Sequence, residues 1–567
     1  MSANNDNNFE WFEKEVLFDH EDQNSDDDDF PDQLEENFDN TDTEQSDSEN
    51  EEFNDNNNKE TFFIGKDKTT KWSASPGNKN VRTRKHNIIK KLPGVKGEAK
   101  NAKSILECWQ LFFTDSMIKK IVEYTNIRLD KIKRNYKRER DVRPTSVIEI
   151  RAVFGLLYLI GTKKSNHLNL EELWTTDGTA PDYFRAAMSL QRFYQLLNAI
   201  RFDNIHTREE RIKSDKLAPI REIFEAFNNN CKKHFTPGQN VTLDEMLESF
   251  RGRCSFRQYM PIKPAKYGIK VWAIVDSRLF YTVNLEIYPG KQQNGPYNVS
   301  NAVNEIVKRV SEPILNTGRN ITMDNYFSSI PLAIDLVTNC RTTIVSTLRK
   351  NKREIPPEFV AVKGRNICSS KFGFTEKCSL VSYVPKKNKN VLMLSTLYNS
   401  DDIDKDTGSR KKPEIITFYN LMKGAVDVVD ELKGTYSVSR ETRRWPMVLF
   451  YSFLNIAGIN SQIILRDNSG EKMTRRSFLS RLRKELVQPF FKTRLEEAPL
   501  THELRLLIKK LDMSKSIKKR LNKFKGCVIF VQEEKTEKPK NGANFALNLY
   551  AQSILDIFVM DAKLKRR

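Results

Sequence analysis

The sequence predicts a mixed α/β protein in which helical blocks bracket a sheet. Three observations carry this. Apolar residues recur at helical spacing from about residue 104 to 238. The spacing switches to a strand-like period near 240, and helical spacing returns from 437 to 500.

The N-terminal end is set apart by charge. Residues 1–60 hold 23 acids against two lysines, a net −21, which leaves +40 on the rest of a chain whose total is +19. This segment is rich in Asp, Glu, Asn and Ser, with "SDDDD" at 25–29, and is too poor in apolar surface to fold. The stretch 65–103 then reverses the sign. Residues 1–103 are therefore expected to be disordered, acidic first and basic after. The basic part is either a solvated linker or, like the terminal "KLKRR", a segment that touches DNA or carries a nuclear address. A body this basic suits a polyanionic partner such as nucleic acid.

The helical block opens with "SILECWQLFFTDSMIKKIVEYTNIRLDKIK" and continues through "SVIEIRAVFGLLYLIGTKK" and "DYFRAAMSLQRFYQLLNAIRFDN". After "TPGQ", "QNVTLDEMLESF" begins as a short strand. "YGIKVWAIVDSRLFYTVNLEIYPG" reads as two strands with a turn near "DSR". "NGPYNVSNAVNEIVKRVSEPI" reads as a helix. "RNITMDNYFSSIPLAIDLVTNC" reads as a short strand ending on an acid, then a helix with Pro331 in its first turn. "RTTIVSTLRKN" is a further strand. Residues 351–413 interrupt this order with β-type alternation and an Asp- and Lys-rich loop. "EIITFYNLMKGAVDVVDELKG" is strand-like and then helical. From about 501 to 567 the chain is basic and weakly patterned.

Several classes drop out. The seven cysteines are scattered and none forms C-x-x-C, and there are six histidines, so neither a zinc finger nor a disulfide framework is expected. The N-terminus has no apolar secretory core. The most apolar run, 447–465, contains Asn455, Asn460 and Gln462, and reads as a buried helix, so no membrane partner is expected.

Against the basic background, the acids of "KGAVDVVDELKG" (423–434) need a reason. Asp427 and Asp430 are three apart, on one face of a helix. Asp244 in "VTLDEML" and Asp324 in "NITMDNYFSS" lie where strands begin or end. Carboxylates brought to one point by two strands and a helix make a hard-oxygen site for Mg²⁺ or Mn²⁺, suited to phosphodiester chemistry. Spacing leaves open the plainer alternative that these acids cap helices or face water.

These stretches carry a resemblance. "VTLDEMLESFRGRCSFRQYMPIKPAKYGIKVWAIVDS", "RNITMDNYFSSIPLA", "IVSTLRKNKREIP", "YNLMKGAVDVVDEL" and "RRWPMVLFYSFLNIAGINS" resemble, in order, the signature blocks of piggyBac-type transposases over roughly residues 104–495. The resemblance implies an RNase H-like catalytic core, 239–350 and 414–436, interrupted by a β-rich insertion domain at 351–413. It also implies an all-helical DNA-binding and dimerisation domain assembled from 104–238 and 437–500, with 501–567 as a basic tail. The implied activity is Mg²⁺-dependent (or Mn²⁺-dependent) cut-and-paste transposition of double-stranded DNA into TTAA targets. A nuclear homodimer is the implied form.

Residue by residue, the family's catalytic acids fall on Asp244, Asp324 and Asp427, which would hold the metal, with Asp430 in support. Its DNA-contacting basic pair falls on Arg349 and Lys352, and its tryptophan near the transposon end on Trp445. Trp445 reads equally as a core aromatic. The loop carrying Arg251, Arg253, Arg257, Lys263 and Lys266 mixes cations with aromatics and suits phosphate contact, unless it is a plain surface β-loop. One departure stands out. Family members end in a cysteine- and histidine-rich zinc domain, whereas after residue 495 this sequence has Cys527 and His502 alone of those types. No zinc is therefore expected, and end recognition is put in question. The alternatives are a domesticated DNA-binding or chromatin protein that keeps the fold without moving DNA, and an interaction protein acting through its acidic N-terminus.

Overall fold

The computed structural model describes residues 62–76, 88–135, 142–261, 263–497 and 499–512. The acidic segment 1–60, residues 77–87 of the basic stretch, and the tail beyond 512 with Cys527 lie outside the described residues.

The strand-rich middle of the chain builds a mixed sheet. Strand β5 (Asn240–Ser249) pairs antiparallel with β7 (Tyr267–Asp276), which pairs antiparallel with β8 (Thr282–Ile287). On its other side β5 runs parallel to β9 (Asn320–Met323), and β9 parallel to β10 (Thr343–Thr347). Strand β7 is buried from Gly268 to Asp276, as expected for an apolar strand covered on both faces. The parallel step from β9 to β10 is bridged by the helix Ile330–Asn339. Ser329 caps it by accepting from Leu332 N, and Pro331 lies in its first turn.

The sheet does not stop at β10. Strand β13 (Lys389–Ser395) adds antiparallel to β10, followed by β12 (Ser379–Lys386) and β11 (Ser370–Phe374). The strands of 351–413 therefore extend the central sheet rather than forming one of their own. For residues 62–76, the expected disorder of 1–103 is corrected at the same edge. A hairpin of β1 (Phe62–Ile64) and β2 (Lys71–Ser73) continues the sheet beyond β11. Trp72 is fully buried there and donates from Nε1 to Glu354 O at 2.9 Å. The hairpin's partners lie some 280 residues away in sequence, so the local composition, dominated by charge, hides it. Residues 88–103 are also held. Strand β3 (Gly94–Val95) pairs with β4 (Phe235–Thr236), Val95 N donates to Asp467, and Asn468 donates to Ala99 O and Ala102 O.

Two further expectations are corrected. "EIITFYNLM" is the helix Glu414–Met422, not a strand. A short apolar run is ambiguous in period, and here Ile415, Ile416 and Tyr419 pack on Val345, Val381 and Met393 of the sheet. In 294–314 the α-helix covers Val303–Ser311, with a short 3-10 turn after it.

The two helical blocks, separated by some 200 residues, pack on one another. Helix Val147–Lys163 is apolar on nearly every side and accordingly buried. Helix Arg475–Glu497 lies so close to it that a Cβ on Gly155 would sit 2.5 Å from Val487 Cγ2 and 2.9 Å from Arg483 O. Trp109 Nε1 donates to Tyr158 OH, which donates to Leu454 O. This chain joins both blocks through the core. Helix Trp445–Ser469 is long and apolar enough to cross a membrane, but 89% of its apolar window is buried inside the protein. Its polar residues are matched. Asn460 exchanges hydrogen bonds with the backbone of Thr282, and Asn455 accepts from Val438 N.

Candidate active site

The register of two parallel strands creates the site. Leu243 on β5 faces Met323 on β9, so the next residues, Asp244 and Asp324, emerge side by side where β9 ends. The third acid comes from the helix Ala425–Thr435, with Asp427 in its first turn. The helix before it is tied to β5 by Thr242 Oγ1, which donates to Met422 O at 2.7 Å. The three acids share a cavity of about 240 Å³ with Thr242, Leu243, Met323, Tyr419 and Lys423.

The electrostatics are those of an anionic cavity. Burial, then the charges of Glu245 and Asp324, pushes the Asp244 carboxyl well above its ordinary value, against the pull of Lys263. Burial, then Glu245, pushes Asp324 up to about 6, although Oδ1 accepts from Tyr326 N at 2.8 Å. Tyr419 is pushed up to about 12 by burial, with smaller contributions from Asp324 and Asp244. Asp427 is different. Its side chain is 67% exposed and lies 3.8 Å from Lys263 Nζ.

The donor set fits a divalent cation in chemistry. All three groups are hard carboxylate oxygens, and two are destabilised as anions by burial and mutual repulsion, which a cation would relieve. As placed, no group of three or more His, Cys, Asp or Glu among the described residues is drawn together tightly enough to ligate an ion. The exposed Asp427, held toward Lys263, is the member with room to turn.

Asp430 does not line this cavity. Lys433 Nζ lies 2.8 Å from Asp430 Oδ1 and 2.5 Å from Glu248 Oε1, and Ser452 donates to the same Glu248 oxygen at 2.7 Å. Burial opposes the Lys433 charge, but Glu248 and Asp430 outweigh it and hold the ammonium above its ordinary range. This cluster pins the acid-bearing helix to β5 and to Trp445–Ser469.

The basic candidates divide. Arg349 does not line the cavity, but its charge acts on Asp324; it donates from Nε to Asn325 Oδ1 at 3.2 Å with its guanidinium 5.8 Å from the Tyr326 ring centroid. Lys352 lies three residues on, half-buried, in the turn after β10. Between β5 and β7, Arg251, Arg253 and Lys266 are exposed. Arg257 is spent partly on its own loop, donating to Arg251 O and Gly252 O and lying over Tyr267. Trp445 is half-buried against Phe256 of that loop, edge to face at 5.0 Å, which joins the loop to the second helical block. Thr242, Tyr419 and Lys423 also line the cavity, Glu245 adds its charge to Asp244 and Asp324, and none of these was singled out from the sequence. Tyr419 and Lys423 stand four apart on the helical turns leading into Asp427, a spacing that pattern alone leaves ambiguous.

The family model described as Transposase IS4 matches residues 105–462. The human PiggyBac transposable element-derived protein 3 is 24% identical over 373 residues, covering 60% of this chain and 57% of that protein. The human Chimeric ERCC6-PGBD3 protein is 24% identical over the same length, covering 60% and 32%. The chain thus spans little more than half of the first relative and about a third of the second. Among solved structures, the cryo-EM structure of a piggyBac transposase synaptic complex with hairpin DNA is 37% identical. It aligns with a TM-score of 0.69 over 74% of this chain and 87% of that one.

Proposed function

Because the chain belongs to the piggyBac-type transposases, within the Transposase IS4 family, we propose that it is a metal-dependent DNA strand-cleaving and strand-transferring enzyme. The observation that carries this is the convergence of Asp244, Asp324 and Asp427 on one cavity. The reading takes β5, β7, β8, β9 and β10 as an RNase H-like core, with antiparallel neighbours on one side of β5 and parallel ones on the other. It takes 351–413 as an insertion into that core.

In this reading Asp244, Asp324 and Asp427 hold divalent cations, Mg²⁺ or Mn²⁺ by their oxygen ligands. Such ions, when bound, supply the charge that activates an attacking oxygen and stabilises the leaving oxygen of a phosphodiester. The protein's own part is positioning. The paired strands fix Asp244 and Asp324, the Lys433 cluster fixes the helix of Asp427, and Arg349 presents a guanidinium beside the acids. Arg251, Arg253 and Lys266 offer phosphate contacts that set register on the duplex. Joining at TTAA, a dimeric assembly on DNA and a nuclear location belong to the same proposal, on the strength of the family.

The experiment is a cleavage assay on DNA carrying the element's own termini with Mg²⁺. Nicking by the native chain and its loss in each of Asp244→Asn, Asp324→Asn and Asp427→Asn is the expected result. Specific binding of those termini with no nicking would favour the second reading, a DNA-binding derivative that keeps the fold without mobilising DNA.

A further inference from the structure

Lys263 reaches the acidic cavity from an element that carries none of its acids. It belongs to the loop between β6 (Gln258–Tyr259) and β7. The backbone there is held in a tight turn, with Lys263 N donating to Met260 O and Lys266 N donating to Lys263 O. From that fixed point Nζ donates to Glu245 O at 3.0 Å and approaches Asp427 Oδ1 to 3.8 Å. It is also the cation that offsets the strain on Asp244. The other cations near the acids are differently placed. Lys423 Nζ lies 5.8 Å from the Tyr419 ring centroid, and Arg349 is turned to Asn325 and Asp324.

Resting on the metal-dependent reading above, we propose that Lys263 is a built-in counter-ion that competes with the divalent cation for the Asp427 side of the cavity. A compact ammonium on a flexible four-carbon stem can withdraw without disturbing its backbone, and its side chain, 21% exposed, already borders solvent. In the cation-free protein it holds Asp427 away from the buried pair. Cation entry then requires that Lys263 yield Asp427, so the lysine sets how tightly the cation binds. The same lysine would otherwise read as a plain phosphate contact, which predicts no change in cation binding when DNA is absent.

The test is titration calorimetry with Mn²⁺ on the full chain without DNA, at pH 7.5, with thermal melting as a folding control. Removing the competitor in Lys263→Met should tighten Mn²⁺ binding by about tenfold, within the usual range for coupled sites. Lys263→Gln serves as a second neutral variant if the first folds poorly, and Lys263→Arg should keep native affinity. The gain should vanish in an Asp427→Asn background, because the two residues act as a pair. Unchanged or weaker Mn²⁺ binding in a folded Lys263→Met or Lys263→Gln would overturn the counter-ion role. Absence of saturable Mn²⁺ binding in the native chain and the neutral variants alike would overturn the cation reading itself, and this role with it.

Discussion

Leu243 and Met323 are register partners on adjacent parallel strands, and that alignment places Asp244 and Asp324 together. A slip of one residue would turn one acid to the opposite face of the sheet. The fold thus forces two carboxylates into a shared, partly dry space, and the consequences are measurable.

The first consequence is a pH dependence. Asp324 has an ordinary value of 3.8 and is pushed up to about 6, chiefly by burial. An acid with a raised folded value favours the fold when protonated. Its contribution is complete below about pH 4 and is lost as the pH rises through about 6. Asp324→Asn should therefore match the native protein at pH 4 and exceed it in stability at pH 7, by roughly 1–3 kcal/mol. Melting curves of the two proteins across pH 4–7 check this; parallel curves would refute it.

A second prediction separates Asp427 from Asp430. Asp427→Asn should abolish cleavage while leaving the metal-free melting temperature unchanged, because its exposed carboxylate makes one loose ion pair at 3.8 Å. Asp430→Asn should retain cleavage and lose about 1 kcal/mol, since Glu248 still faces Lys433. Lys433→Met should lose roughly 1–3 kcal/mol by leaving two half-buried carboxylates without their buried cation. Urea unfolding and a nicking assay on each variant give both readouts.

The helical blocks offer a third test. Gly155→Leu would drive side-chain atoms into Val487 and the Arg483 carbonyl. The loss should be at least 1–3 kcal/mol, roughly the range for overpacked cores, read from the urea midpoint. Gly155→Ala should already be destabilising, since its Cβ lies 2.5 Å from Val487 Cγ2.

A fourth concerns DNA. If the segment between β5 and β7 contacts phosphates, Arg251→Ala and Lys266→Ala should each weaken duplex binding uniformly across sequences. Each should also reduce the magnitude of the salt slope by about one. Trp445→Ala should weaken binding through the loop it supports, by removing the edge-to-face packing on Phe256. Fluorescence anisotropy at several salt concentrations distinguishes these outcomes. An unchanged slope in the charge variants would place the phosphate contacts elsewhere.

The sequence by itself determined the succession of helices, strands and helices, because residue period is a local property that burial on one face imposes. The order of strand, helix and strand over β9 to β10, and Pro331 in that helix, were legible for that reason. So was the buried reading of the run 447–465, whose Asn460 meets the backbone of Thr282. The tertiary structure alone decided what depends on distant partners. It placed Trp72 against Glu354 and joined the strands of 351–413 to the central sheet. It made 414–422 a helix by giving its apolar face a sheet to cover. It also divided two acids that look equivalent in sequence. Asp427 and Asp430 share a helix face to within one turn, yet one lines the cavity and the other meets a buried lysine. A spacing of three residues specifies a direction from the helix axis, and the charge waiting in that direction comes from other parts of the chain.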